Sequence, residues 1–187
     1  MAQRRKRKKC KKVPDFDDSQ IMTKRWLRHI IREALKFWAP ILKLSAYVDE
    51  IAFYITEAND SNLNSEDGAC ITISSSTRTA TIKIKRTAVK KFAGEYRKTH
   101  YSPADVVEMT VIHELCHILT HPMSQWAHNT MESMRSGKVL EKNFEEQEEI
   151  SVEHMTRALF ALKDYIEPQK KFKGKIVYLT KDPDEDE

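Results

Sequence analysis

Residues 113–117 read His-Glu-Leu-Cys-His and hold the side chains that a hydrolytic metal site needs. In an α-helix, residues four apart lie on one face, so His113 and His117 can direct two imidazoles at one metal ion. Glu114 projects beside the pair, where it can accept a proton from a water molecule. The spacing therefore predicts a bound zinc ion, with Glu114 as the general base that activates water.

The sequence around this motif favours a buried helix. Its flanking residues are mostly apolar, and buried imidazoles and carboxylates are costly without partners. The alternative is a surface helix with two solvent-exposed histidines, which this apolar context opposes. Ser102, Pro103 and Asp105 predict the start of the helix, because they suit the N-cap, the first turn and the third position. Pro122 predicts its end.

Catalytic zinc usually takes three protein ligands. One known pattern places a third histidine ten positions after the first, following a glycine. Met123 stands there, and no glycine occurs between residues 117 and 137, which excludes that pattern. A glutamate from a downstream helix is the other common choice, and residues 144–160 have helical apolar spacing.

Glu149 and Glu153 are four apart and share a helical face. This predicts Glu149 as the third metal ligand and Glu153 as the acceptor that orients a ligand histidine. Glu148 remains the alternative ligand. The acids at 145 and 146 are explained by their place near a helix N-terminus.

The segment Glu148–Leu159, Glu-Glu-Ile-Ser-Val-Glu-His-Met-Thr-Arg-Ala-Leu, is similar to the second motif of the gluzincins. Together with residues 113–117 it resembles the small members of that group, the minigluzincins and phage-encoded metallopeptidase-like proteins, over about residues 45–165. The resemblance implies metal ligands at His113, His117 and Glu149, a general base at Glu114 and an orienting acid at Glu153. Residues 125–142 depart from the family pattern and suggest a lid, a specificity loop or an added helix.

The apolar patterns predict an α+β fold. A small antiparallel sheet of about three strands packs on the motif helix and the glutamate helix, after an N-terminal amphipathic helix that ends before Pro40. The predicted helices are residues 20–38 and 87–98, and the predicted strands are 47–56, 69–74 and 79–85, with 175–179 as a further strand-like piece. The resemblance implies a sheet edge along the cleft, and Lys83 and Lys85 suggest residues 79–85 as that edge.

The length of 187 residues predicts one domain over residues 19–180, between a basic disordered arm (1–18) and an acidic disordered tail (181–187). Eight basic side chains and no acid lie within residues 1–12. Residues 4–12 can bind nucleic acid through phosphates or act only as a solubilising arm. Three widely spaced cysteines, with no signal peptide and no long apolar run, predict a cytoplasmic or intracellular protein without membrane contact.

The predicted function is zinc-dependent endopeptidase activity on a peptide or protein substrate, with one Zn²⁺ per chain. Manganese or iron also suit such a site. A further donor must stabilise the oxyanion, and the candidates are Tyr101, His121, His128, His154 and Arg157. The alternative is a non-catalytic zinc-binding protein with a structural role, or one associated with nucleic acid through the basic arm.

Overall fold

A computed structural model describes residues 23–56, 68–96, 101–132, 134, 137–166 and 172–179, with the side chains of residues 93–96 and 137 excepted. The predicted arm (1–18) and tail (181–187) lie outside these residues. The described chain is α+β. Its elements are α1 (Lys24–Ile41), β1 (Glu50–Thr56), β2 (Ala69–Ser74), β3 (Thr79–Lys85), α2 (Arg86–Tyr96), α3 (Pro103–Glu132), α4 (Gly137–Leu162) and β4 (Lys175–Tyr178).

The four strands form one mixed sheet in the order β2-β3-β1-β4. β2 and β3 make an antiparallel hairpin, and β1 runs parallel to both β3 and β4. The prediction of an antiparallel sheet is therefore wrong in direction, whereas the strand-like piece predicted at 175–179 is confirmed as β4, which joins the three predicted strands. Alternating apolar residues indicate a strand but not its partner, and here the hairpin folds back so that β3 lies beside β1 in the same direction.

Residues 79–85 are not an edge, which corrects the second prediction about the sheet. β3 lies between β2 and β1, and its Lys83 and Lys85 are only 7% and 6% exposed. The two edges are β2 and β4. Lysine protects edge strands but also occurs on central strands whose faces are covered. Lys83 and Lys85 therefore do not distinguish an edge strand from a central one in the sequence.

The main core lies between the sheet, α1 and α3. Most of the fully buried large side chains come from these three parts: Leu27, Ile31, Leu35 and Trp38 from α1, Ile51, Phe53, Ile82 and Ile84 from the sheet, and Ile112, Leu115 and Ile118 from α3. α1 continues through Pro40 to Ile41, slightly beyond its predicted end. Among the described residues, none of the helices combines the length and the apolar composition that a membrane span requires.

α3 begins as the sequence predicts. The Ser102 hydroxyl accepts a hydrogen bond from the Asp105 N–H at 3.2 Å, and the Asp105 carboxylate accepts one from the Ser102 N–H at 2.9 Å. The predicted end at Pro122 is wrong, because α3 continues to Glu132. A proline removes one helical hydrogen bond, but tertiary packing can offset that cost. Here Ser124 and Ala127, just beyond the proline, are buried.

α4 runs antiparallel to α3. His128 near the end of α3 meets Glu141 near the start of α4, and His113 meets Glu153 at the opposite end of the contact. Residues 125–142, which had no counterpart in the resembled family, contain the last turns of α3 and the first turns of α4. The described part of this segment therefore extends the two helices that carry the predicted site.

Candidate metal centre

His113, His117 and Glu149 meet between α3 and α4. The Nε2 atoms of His113 and His117 are 3.3 Å apart. One oxygen of Glu149 lies 3.3 Å from the His113 Nε2, and the other lies 3.3 Å from the His117 Nε2. The structure thus brings together the three residues that the sequence singles out as metal ligands.

These separations match those of ligands around a single metal ion. Tetrahedral zinc has bonds of about 2.0–2.1 Å to nitrogen and oxygen, which places neighbouring ligand atoms about 3.3–3.4 Å apart. One ligand atom from each of the three residues can be chosen so that all lie within 4.8 Å of one another. The donor set, two imidazoles and one carboxylate, also fits zinc. The three residues could therefore hold a metal ion.

The outer nitrogens of both rings face carboxylates of α4. Glu153 lies 3.7 Å from the His113 Nδ1, and Glu148 lies 3.8 Å from the His117 Nδ1. These are ion-pair separations, slightly longer than a hydrogen bond. Arg157 donates a 2.6 Å hydrogen bond to Glu153 and restrains that carboxylate. Glu153 therefore lies where the sequence places an orienting acid.

Glu148 has a position that sequence reasoning missed. Its Oε1 accepts hydrogen bonds from the hydroxyls of Thr120 and Ser124, each at 2.6 Å. Its side chain is only 15% exposed, so these bonds form with little competition from water. The sequence pattern predicted Glu148 only as an alternative ligand to Glu149. The available signal was the pair of hydroxyls three and seven residues after His117, on the same side of the helix.

Glu114 lies beside the histidines at the wall of a cleft of about 1190 Å³. Glu114 is 5% exposed, so its carboxylate is in a largely dry environment. β2 lines one side of this cleft, and α3 and α4 line the other. The cleft thus places an acid, the three candidate ligands and a sheet edge around one space.

The candidate oxyanion donors differ in which cavity they line. Tyr101, His121, His128 and Arg157 line the main cleft, whereas His154 lines a smaller adjoining hollow. The His121 Nε2 is 3.2 Å from the Ser75 hydroxyl, in the turn between β2 and β3. This contact attaches the hairpin to α3 close to the candidate metal centre.

The carboxylates make this region favourable for a cation. Hydrogen bonds from His113 and His117 hold the pKa of Glu149 well below its usual range. Burial lowers the pKa of His117, but its hydrogen bond to Glu149 and the charges of Glu149, Glu114 and Glu148 outweigh burial and raise the pKa overall. These carboxylates stabilise a protonated His117 imidazole. A bound metal ion would take the place of that proton and supply the positive charge instead.

Cys116 lies within the motif but packs into the core. It is completely buried, and burial raises the pKa of its thiol to about 11, partly opposed by a hydrogen bond with Thr156. A thiol with so high a pKa is neutral at physiological pH and poorly reactive. This supports the interpretation of Cys116 as a small core residue.

Comparisons with family models, with curated proteins and with solved structures found no match to this chain.

Proposed function

We propose that this protein is a zinc-dependent endopeptidase of the gluzincin type. The observation that carries the proposal is the group of three donors from His113, His117 and Glu149, separated by 3.3 Å contacts, with Glu114 beside it in the same cleft. In this proposal His113, His117 and Glu149 hold the ion, and Glu153 and Glu148 orient the two rings.

A bound zinc ion supplies Lewis acidity, which lowers the pKa of water and polarises a carbonyl. Glu114 takes the proton from the attacking water and later delivers it to the leaving amine. The low exposure of Glu114 supports this role, because a carboxylate in a dry site interacts strongly with nearby charge and protons.

The edge strand β2 supports a peptide as the substrate. An extended peptide can add to an exposed sheet edge through backbone hydrogen bonds, independently of its side chains. Residues 69–73 of this strand line the cleft that contains Glu114. The cleft has a volume of about 1190 Å³, above the usual range for small-molecule sites, which supports a substrate as large as a peptide.

The proposal is tested with Glu114→Gln, which keeps the side-chain shape and removes the base. We expect cleavage of a proteome-derived peptide library to fall by roughly 100-fold to 10,000-fold. Zinc content, measured by elemental analysis, should stay at the wild-type level. Glu146→Gln is the matched control, because Glu146 is an exposed acid on α4 outside the cleft.

Retained cleavage in Glu114→Gln would contradict the role of the base. Zinc-loaded wild-type protein that cleaves no peptide in the library would contradict the peptidase proposal itself. That outcome would favour the alternative from the sequence, a non-catalytic zinc protein that acts structurally or binds nucleic acid through residues 4–12. The buried carboxylate of Glu114 supports the peptidase, because a purely structural site does not require it.

A further inference from the structure

Four glutamates on α4 recur at intervals of four residues: Glu141, Glu145, Glu149 and Glu153. Residues at this spacing lie along one helical face. Contacts with His113, His117 and His128 show that this face of α4 is turned towards α3. Glu149 and Glu153 belong to the centre already described, which leaves Glu141 and Glu145 at the other end of the helix pair.

His128 meets these two acids. Its Nδ1 lies 3.0 Å from Glu141, and one ligand atom each from His128, Glu141 and Glu145 can be chosen so that all three lie within 4.8 Å of one another. The His128 ring packs edge-on against Phe144, with ring centroids 6.1 Å apart. The imidazole is therefore held by a neighbouring ring as well as by a carboxylate.

The charges in this group favour a cation. Two carboxylates four residues apart on a helix repel each other, which destabilises the helix. A divalent ion between them removes that repulsion. One imidazole with two carboxylates is a donor set that suits zinc and neighbouring transition metals, whereas magnesium and calcium prefer oxygen alone.

We propose that His128, Glu141 and Glu145 form a second metal site, which binds a divalent transition metal such as zinc between the end of α3 and the start of α4. His128 follows His117 by eleven residues, about 16 Å along a helix. Two metal ions that share one reaction lie about 3.5–4 Å apart. The second ion therefore acts as a clamp on the helix pair and has no direct part in hydrolysis.

Clamping at this point affects the first centre through α4. Glu145 precedes Glu149 by one helical turn, so an ion that joins Glu145 to His128 restricts sliding of α4 along α3. The proposal does not depend on peptidase activity, because it concerns a separate group of ligands.

The test is calorimetric titration of the metal-free 187-residue protein with Zn²⁺. We expect two equivalents for the wild type, and one for the double variant His128→Ala with Glu141→Gln. His113→Ala with His117→Ala should lose the other equivalent and keep this one. Glu146→Gln, an exposed acid on the same helix, is the control and should bind two equivalents.

A second measurement keeps the proposal testable if the double variant folds poorly. Co²⁺ gives visible absorption bands that depend on its ligands. In the wild type, the second equivalent of Co²⁺ should add to this absorption. In the milder variant Glu145→Gln, that addition should disappear. The second equivalent should also raise the melting temperature of the wild type but not of this variant. The proposal is overturned if the wild type binds one equivalent, or if the His128 and Glu141 double variant still binds two.

These results separate the two proposals. Two equivalents without peptide cleavage would leave the second site standing and remove the proposed function. One equivalent with cleavage that depends on Glu114 would do the reverse, and would identify the contact of His128 with Glu141 as an ion pair only.

Discussion

At the scale of single residues, each histidine of the candidate centre has carboxylates on both sides of its ring. The Nε2 atoms face Glu149, and the Nδ1 atoms face Glu153 in one ring and Glu148 in the other. A ligand imidazole that coordinates through Nε2 carries its proton on Nδ1, where a carboxylate accepts it. The outer nitrogens lie 3.7 and 3.8 Å from their carboxylates, so a small shift of either side chain would complete this hydrogen bond.

Glu149 and Glu148 should respond differently to replacement by alanine. Glu149→Ala removes a candidate ligand, so we expect the protein to lose its zinc on dialysis against a weak chelator. Glu148→Ala should keep zinc but bind it about 10-fold to 100-fold more weakly, because His117 loses its orienting partner. It should also lower the free energy of unfolding by roughly 1–3 kcal/mol, because the Thr120 and Ser124 hydroxyls lose their shared acceptor.

Competition with a chromophoric chelator measures both affinities. The ligand assignment would be wrong by one position if Glu148→Ala released zinc and Glu149→Ala retained it.

The stability of the metal-free protein should depend on pH through the same residues. The pKa of Glu149 is lowered from 4.5, so its contribution is present above pH 4.5 and is lost as the pH falls through its folded-state pKa. The pKa of His117 is raised from 6.5, so its contribution is complete below pH 6.5 and is lost as the pH rises through its folded-state pKa. In EDTA, urea titrations should therefore show decreasing stability as the pH rises above 6.5.

Glu149→Gln should flatten this decline, because it removes the main partner of His117. Saturating zinc should reverse the trend, since metal binding requires neutral imidazoles. A metal-free protein whose stability rises over the same range would show that His117 is not protonated more readily in the folded state.

At the scale of the elements, α3 positions His113, Glu114 and His117 at once. Its start is set by the reciprocal hydrogen bonds of Ser102 and Asp105, and its far half is held against α4 by Ser124 and Glu148. The capping pair could be predicted from the sequence because its two partners are only three residues apart. The continuation of α3 beyond Pro122 could not be predicted, because it depends on packing with α4.

Ser102→Ala tests the start of α3. The variant leaves the Asp105 N–H without its acceptor, and N-cap replacements of this kind cost about 1 kcal/mol in the free energy of unfolding. Ser151→Ala is the matched control, because Ser151 is exposed in the middle of α4, and its loss should change stability by less than about 0.5 kcal/mol. Urea unfolding measures both, and equal effects would show that the Ser102 cap does not stabilise α3.

At the scale of the whole molecule, a cluster of three polar side chains around the buried Glu108 joins three parts of the chain. Trp38 on α1 donates a 2.8 Å hydrogen bond to Glu108 on α3, and Glu108 also pairs with Lys163 just after α4. Trp38 is completely buried and Glu108 is 9% exposed. The helices that carry the candidate centre are thereby tied to the N-terminal helix and through it to the main core.

Trp38→Phe should lower the free energy of unfolding by roughly 2–4 kcal/mol. The change leaves a cavity and removes one hydrogen bond from a buried carboxylate. Trp126→Phe is the control, because Trp126 is 68% exposed on α3 and its replacement should change stability by less than about 0.5 kcal/mol. Thermal and urea unfolding measure both variants, and equal losses would contradict the place of Trp38 in the core.

Features that depend on residues close together in the chain could be predicted from the amino-acid pattern alone. Helical spacing predicted that His113 and His117 share a face, and that Glu149 and Glu153 share another. Alternating residues located β1, β2 and β3 to within a few positions, and the Ser102 cap located the start of α3. The shared helix faces, the strand positions and the helix start each depend on backbone geometry over a few residues. A local sequence pattern therefore predicts them.

How these elements meet depends on contacts between parts of the chain that are far apart in sequence. The position of β3 inside the sheet, the parallel pairing of β1, the passage of α3 through Pro122 and the bonds of Glu148 all involve partners distant in the chain. Their outcome depends on the packing of whole elements, in which buried area and the pairing of buried polar groups outweigh local preferences. The 3.3 Å contacts of Glu149 with the two histidines, more than thirty residues away, are the clearest example.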